Sequence, residues 1–233
     1  DLILANATAP LQSAAAATTD IPILGTSVTD YATALDISDW SGTTGRNISG
    51  TSDLAPLSEQ AAMLNELFPD AKNVGLLYCS AEANSQYQID VIKEELEKLN
   101  YTCTAYSFVD SNDIASVVQS AVNDNDVLYV PTDNTAASNT EVINNIAGEA
   151  GVPIIAGEAG ICKGCGVATL SISYYDLGYQ TGKMAYEILV NGADPSTMEV
   201  EFAPAVTKQY NPDICEKLGI TVPDDYKALD MSE

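Results

Sequence analysis

Short apolar runs alternate with segments of helical periodicity along nearly the whole chain. Strands are predicted over residues 2–5, 21–25, 74–79, 102–108, 127–130, 153–156 and 167–172, each an apolar run bounded by turn formers. Between them the apolar positions recur with a period near 3.6. In NDIASVVQSAV, Ile114, Val117, Val118, Ala121 and Val122 fall on one helix face, with Asn112 or Asp113 placed to cap it. Ile89, Ile92, Leu96 and Leu99 line a second helix over 85–99. Met63, Leu64, Leu67 and Phe68 mark a third, stopped by Pro69, and 178–190 reads as a fourth, closed by Asn191-Gly192.

Strand and helix in alternation predict parallel β-sheet with helices on both faces. The strands are near-continuously apolar, as expected when both faces are covered. The fold class is therefore α/β, doubly wound. Residues 36–56, DISDWSGTTGRNISGTSDLAP, break the rhythm and read as a long connection, functional or between domains. Only two predicted strands precede it, too few for a stable sheet. Two completions are expected together: the helix at 178–190 returns to this first lobe, and the lobe lacks βα units upstream of Asp1.

Composition narrows the function classes. The chain has 233 residues, 46% hydrophobic, enough for one large core or two modest ones. With 33 acidic and 9 basic side chains the formal charge is −24, which disfavours nucleic acid and anionic lipid headgroups as partners. No run reaches the roughly 18–20 apolar residues of a membrane span, and no signal peptide is read in the opening DLILANA. Histidine is absent, which removes imidazole bases, Ser-His-Asp triads and HExxH zinc sites. Of five cysteines, Cys162 and Cys165 form a lone CKGC. Unpaired small hydrophobes, a local disulfide and a metal or redox pair all stay open for it. No metal site is expected, since no second cysteine pair stands at zinc-finger spacing and no histidine can complete one, and no cofactor, since GEAGICKGCG fits neither phosphate-binding glycine motif.

Ligands of open parallel sheets bind beyond the carboxyl ends of the strands. Those ends carry Asn6 and Thr8; Thr26, Ser27, Thr29 and Asp30; Ser80, Glu82, Asn84 and Ser85; Thr132, Asp133, Asn134 and Thr135; Glu158; and Ser173, Tyr174 and Tyr175. Each one alone suits a helix cap or turn. TAP at 8–10, EANS at 82–85 and TDNT at 132–135 are richer than capping requires. An Asp can neutralise an ammonium, while hydroxyls, amides and helix N-terminal N–H groups hold a carboxylate, so the set suits a zwitterion such as an amino acid. No nucleophile stands beside a base, and no catalytic residue is assigned. The twelve tyrosines suit either sheet packing or the walls of a site for an aromatic or large apolar side chain.

The stretches DLILANATAPLQSAAAATTDIPILGTSVTDY, GRNISGTSD, NVGLLYCSAEANSQYQ, LYVPTDNTAAS, GVPIIAGE and ISYYDLGYQTGKMAYEIL resemble ABC-transporter substrate-binding proteins of the tryptophan/tyrosine-uptake type. The resemblance implies a type I periplasmic-binding-protein fold with two hinged lobes, residues 1–50 with 174–194 and residues 51–173 with 195–233. It implies a solute held in the cleft between the lobes by hinge closure, with Thr8, Ala9, Asn84, Ser85, Asp133 and Asn134 lining it and Asp133 facing the ammonium. Thr29, Glu158 and Tyr174 are further candidates. For Asp133 the ligand reading is preferred to capping, which is left to Thr132 or Thr135. Where the family often has Pro after VTD, this chain has Tyr31, so the first-lobe wall differs. The implied function is a monomeric extracytoplasmic receptor, periplasmic or anchored as a surface lipoprotein by an upstream cysteine, that hands an amino acid to a membrane permease. A ligand-sensing domain of a regulatory protein and a carboxylate hydrolase are the alternatives.

Overall fold

A computed structural model describes residues 1–232. The chain divides into two compact units, residues 1–54 with 172–205 and residues 55–171 with 206–233.

The first unit is built on a four-stranded sheet. β1 (Ile3–Asn6), β2 (Ile23–Val28), β3 (Ile48–Ser52) and β9 (Glu201–Phe202) lie side by side in the order β1-β2-β3-β9, each pair parallel. Helices α1 (Thr8–Ala17) and α2 (Tyr31–Leu35) bury Leu11, Tyr31, Ala34 and Leu35 with Ala5, Ile23, Val28 and Ile48 of the strands. On the other face α9 (Tyr174–Leu189) packs Met184 and Ile188 with Leu24. Residues 195–205, expected with the second lobe, belong here because β9 pairs with β3.

β3 lies inside the stretch expected to be a long connection. Its sequence, ISGTS, hides a strand in which all five residues are buried. Each hydroxyl is hydrogen-bonded, so burial carries no unpaired cost: Ser49 Oγ donates to the Met198 carbonyl at 3.0 Å, Thr51 Oγ1 meets Thr181 Oγ1 at 2.8 Å, and Ser52 Oγ donates to the Thr29 carbonyl at 2.8 Å. Gly50, at φ +149°, stands where a Cβ would strike the Gly25 backbone and the Tyr31 ring. Glycine is needed at that position.

The second unit holds a seven-stranded sheet in the order β11-β10-β8-β7-β6-β4-β5, from β4 (Asn73–Cys79), β5 (Thr102–Phe108), β6 (Val127–Val130), β7 (Ile154–Ala156), β8 (Ala168–Ile172), β10 (Val206–Tyr210) and β11 (Lys227–Ala228). Its helices are α3 (Leu57–Leu67), α4 (Ala83–Lys98), α5 (Ile114–Asp124), α6 (Asn134–Ala137), α7 (Thr140–Ala150), α8 (Ala159–Cys165) and α10 (Pro212–Leu218). The predicted face of α5 buries Ile114, Val118, Ala121 and Val122 with Leu77, Leu128 and Val130. Each such aliphatic side chain contributes about 1.5–3 kcal/mol on leaving water. Asp113 stands at the N-cap position of α5 but forms no side-chain capping bond there.

A buried polar clasp fixes the middle of this unit. Gln60 Nε2 donates to the carbonyls of Gly157 and Leu170, both at 3.1 Å, while its Oε1 accepts from the Tyr129 hydroxyl at 2.5 Å. The five cysteines are free thiols, and four are buried. Cys162, Cys165 and Cys215 donate to the carbonyls of Gly166, Ile161 and Val167, and burial pushes all three thiols above their ordinary range, Cys215 to about 11. Of the readings open for CKGC, the buried small hydrophobe is the one observed.

No helix among the described residues is long and apolar enough to cross a membrane.

Candidate functional site

In the first unit three strands end side by side. β1 runs out at Asn6, and Ala7 turns the chain in the left-handed region, φ +82°. For a non-glycine residue so sparsely populated a conformation costs about 1–3 kcal/mol. It starts α1 directly at Thr8, with alanine at the N-cap position, no capping side chain and no acid in the first turn. Thr8 is buried and Ala9 is exposed. The N-terminal N–H groups and positive dipole end of a ten-residue helix thus stand at the sheet's carboxyl edge. After β2, Thr29 is buried, its carbonyl held by Ser52, and Asp30 caps α2 through the Thr33 N–H at 2.7 Å. Past β3 comes Asp53, buried at 5% exposure, its N–H donating to the Val28 carbonyl at 3.3 Å. Tyr174, the first residue of α9, donates its hydroxyl to Asp53 Oδ2 at 3.2 Å, and Ser173 caps that helix through the Asp176 N–H.

In the second unit β4 ends at Cys79, and α4 begins with Glu82 at its N-cap position. The Glu82 side chain does not cap α4; it crosses to α6. There Oε1 accepts from the Thr135 N–H and hydroxyl at 2.9 and 2.7 Å, and Oε2 from the Asn134 N–H and amide at 3.0 and 2.8 Å. Burial pushes this carboxyl up, but the four hydrogen bonds outweigh it and hold the group below the usual Glu range. Behind it Asn84 Nδ2 donates to the Thr132 carbonyl at 3.1 Å. Gln88 exchanges two bonds with Thr132, donating to its carbonyl at 2.9 Å and accepting its N–H at 3.0 Å.

Asp133 sits under this network at 1% exposure. Its Oδ1 accepts from the Ala136 N–H and its Oδ2 from the Cys79 N–H, both at 2.7 Å. Burial, then the charge of Glu82, raise its carboxyl above the ordinary Asp range, against the hydrogen bonds from Ala136, Cys79 and the Ser85 hydroxyl. The cap expected of Thr132 or Thr135 is therefore Asp133 itself; Thr132 serves Gln88 and Thr135 serves Glu82. Glu158 likewise caps α8, accepting from the Gly160 N–H at 2.7 Å and from the Ile161 N–H, and burial raises its carboxyl too.

The structure thus gathers Asn84, Ser85, Asp133 and Asn134 at the ends of the neighbouring strands β4 and β6 of the second unit, with Glu82 and Gln88 added. Thr8, Ala9, Thr29 and Tyr174 fall at the carboxyl edge of the first, with Asp53 added. Asp53 went unread because the strand before it looks like a loop. The tyrosines divide: Tyr31, Tyr78 and Tyr129 are core residues, whereas Tyr174 is 38% and Tyr175 82% exposed. Among the described residues no group of three or more His, Cys, Asp or Glu side chains is placed to hold a metal ion.

The family described as ABC transporter substrate binding protein matches residues 1–231. A tyrosine-binding protein of Clostridioides difficile (strain R20291) is 37% identical over 189 residues, which is 81% of this chain and 54% of that protein, so the chain spans about half the length of this curated relative. Among solved structures, an ABC domain in complex with L-Trp from Streptococcus pneumonia superposes with a TM-score of 0.92 at 31% identity, over 98% of this chain and 81% of the other. A ligand-free, open substrate-binding protein with adhesive properties from Clostridium difficile gives a TM-score of 0.75 at 36% identity, covering 100% and 79%.

Proposed function

Because the chain belongs to the ABC transporter substrate binding protein family, we propose that it is the solute receptor of an ABC importer and that its solute is an amino acid with an aromatic side chain. The fold is α/β, of the type I periplasmic-binding-protein kind. The observation that carries the amino-acid reading is the uncapped start of α1. It begins where the parallel strand β1 ends, with alanine at the N-cap position, no side-chain cap and no acid in the first turn. A carboxylate satisfies orphan N–H groups of that kind and gains about 0.3–1 kcal/mol from the dipole at an exposed helix start. The aromatic preference is supported by the relatives, one a tyrosine-binding protein and one in complex with L-Trp.

In this reading the solute meets Thr8, Ala9, Thr29 and Tyr174 of the first lobe and Asn84, Ser85 and Asn134 of the second, and capture proceeds by hinge closure. Asp133 and Glu158 serve as positioning residues, holding the helix starts around it. The solute is released unchanged, with no catalytic step. The protein works outside the cytoplasm as a monomer, periplasmic or lipid-anchored, and passes its cargo to a membrane permease.

Calorimetry and thermal shift with L-tyrosine, L-tryptophan, L-leucine and glucose test the reading. The aromatic amino acids should bind at one per chain and raise the melting temperature as mass action requires. Binding of glucose alone would overturn it.

A further inference from the structure

The acids around the candidate site have tasks that can be told apart. Asp30, Asp133 and Glu158 are N-cap residues that accept backbone N–H groups of their own helices, and Glu82 holds the start of α6. Asp53 is the N-cap residue of no helix. It follows the last residue of β3 at the carboxyl edge of the first sheet, three residues before the Pro56 that precedes α3. Its backbone is pinned by the bond to the Val28 carbonyl, and its carboxylate by the Tyr174 hydroxyl at 3.2 Å. Beneath it lies the buried Tyr31 phenol, which donates to the Thr51 carbonyl at 3.2 Å and is pushed above its usual range by burial and then by the Asp53 charge. The carboxylate thus lies between a core tyrosine and one that is 38% exposed, in the same unit as the uncapped start of α1. A solute carrying both an ammonium and a carboxylate needs an anion and a set of N–H donors on one wall, and these are the two the first unit offers. The salt bridge gains strength in such a desolvated position.

We propose that Asp53 is the carboxylate that receives the ammonium group of the solute, with Tyr174 as the positioning residue that orients it. This assignment rests on the amino-acid reading above.

The experiment compares L-tyrosine with 3-(4-hydroxyphenyl)propionate, which keeps ring and carboxylate and lacks the ammonium, on the wild type, Asp53→Asn and Tyr174→Phe, by calorimetry. The wild type should favour L-tyrosine. Asp53→Asn should weaken L-tyrosine by about a hundredfold, the scale of stripping one partner from a buried charge pair, and leave the analogue within about threefold. Tyr174→Phe, at an exposed position that should not threaten folding, should shrink the L-tyrosine preference several-fold, which loss of packing alone would not do. An unchanged preference in either folded variant overturns the assignment, and the Tyr174→Phe result decides alone if Asp53→Asn does not fold. A wild type that binds L-tyrosine and the analogue equally overturns the assignment while leaving the receptor reading standing. A wild type that binds no amino acid overturns both.

Discussion

Glu82 and Thr135 are joined twice through one oxygen: Glu82 Oε1 accepts both the backbone N–H and the hydroxyl of Thr135, at 2.9 and 2.7 Å. With the matching pair from Asn134, the carboxylate closes the open end of a four-residue helix that could not stand alone. Glu82→Gln should lower unfolding stability by about 1–3 kcal/mol, the range for hydrogen bonds to a charged group. The folded-state carboxyl lies below its unfolded value, so its contribution is fully present above pH of about 4.5 and fades as pH falls through the depressed value. Asp133, raised instead, has the opposite sign: its cost at neutral pH is relieved on acidification. Urea midpoints between pH 3 and 7 should fall more steeply on the acid side for the wild type than for Glu82→Gln; parallel curves would contradict this account.

Asp133→Ala removes the carboxylate that accepts two backbone N–H groups, each at 2.7 Å, from a buried position. The loss should appear in the unliganded protein as about 2–4 kcal/mol by denaturant titration, from the cap and from a buried N–H left without its acceptor. Intact stability beside lost solute affinity would return Asp133 to the ligand-facing role.

Gly25 and Gly50 both face Tyr31, but for different reasons. The three atoms nearest a Cβ on Gly25 all belong to the Tyr31 side chain, whereas a Cβ on Gly50 would also strike the Gly25 backbone. Gly25→Ala should cost about 1–3 kcal/mol, the scale for overpacking a core, and Tyr31→Leu in the same chain should recover part of it. Gly50→Ala should be harsher, about 2–4 kcal/mol, given its φ of +149°, and should show no such recovery. A double-mutant cycle for each glycine reads the difference.

Gln60→Leu leaves the Gly157 and Leu170 carbonyls and the Tyr129 hydroxyl without their partner. Scanning calorimetry should show a destabilisation of about 2–4 kcal/mol, since buried groups that lose a partner bear the full desolvation cost.

Strands covered on both faces by apolar residues read most directly in the sequence, although β5, an edge strand with only Phe108 buried, was legible too. VLYV of β6 is buried at every position and was found to the residue. ISGTS of β3 is buried just as completely, yet its hydroxyls are satisfied by partners up to 150 residues away, so no local pattern reveals it. The same limit governed the site. Asp and Glu at strand ends serve as caps or as ligand groups with equal ease, and only the direction of Asp133 and Glu158 toward their own helix N–H groups separates the two. What the sequence did carry was the crowding of polar groups at TAP and EANS, and the first of these stands at the helix start left uncapped.

The free thiols have a consequence for how this molecule can be made. Cys162, Cys165 and Cys215 each donate to a carbonyl, and all five cysteines are free. No covalent cross-link therefore has to form before the chain reaches its fold. Protein produced in a reducing cytoplasm should match protein exported to an oxidising exterior, with no need for disulfide-forming catalysts. Added reductant should leave both its melting curve and its solute affinity where they were.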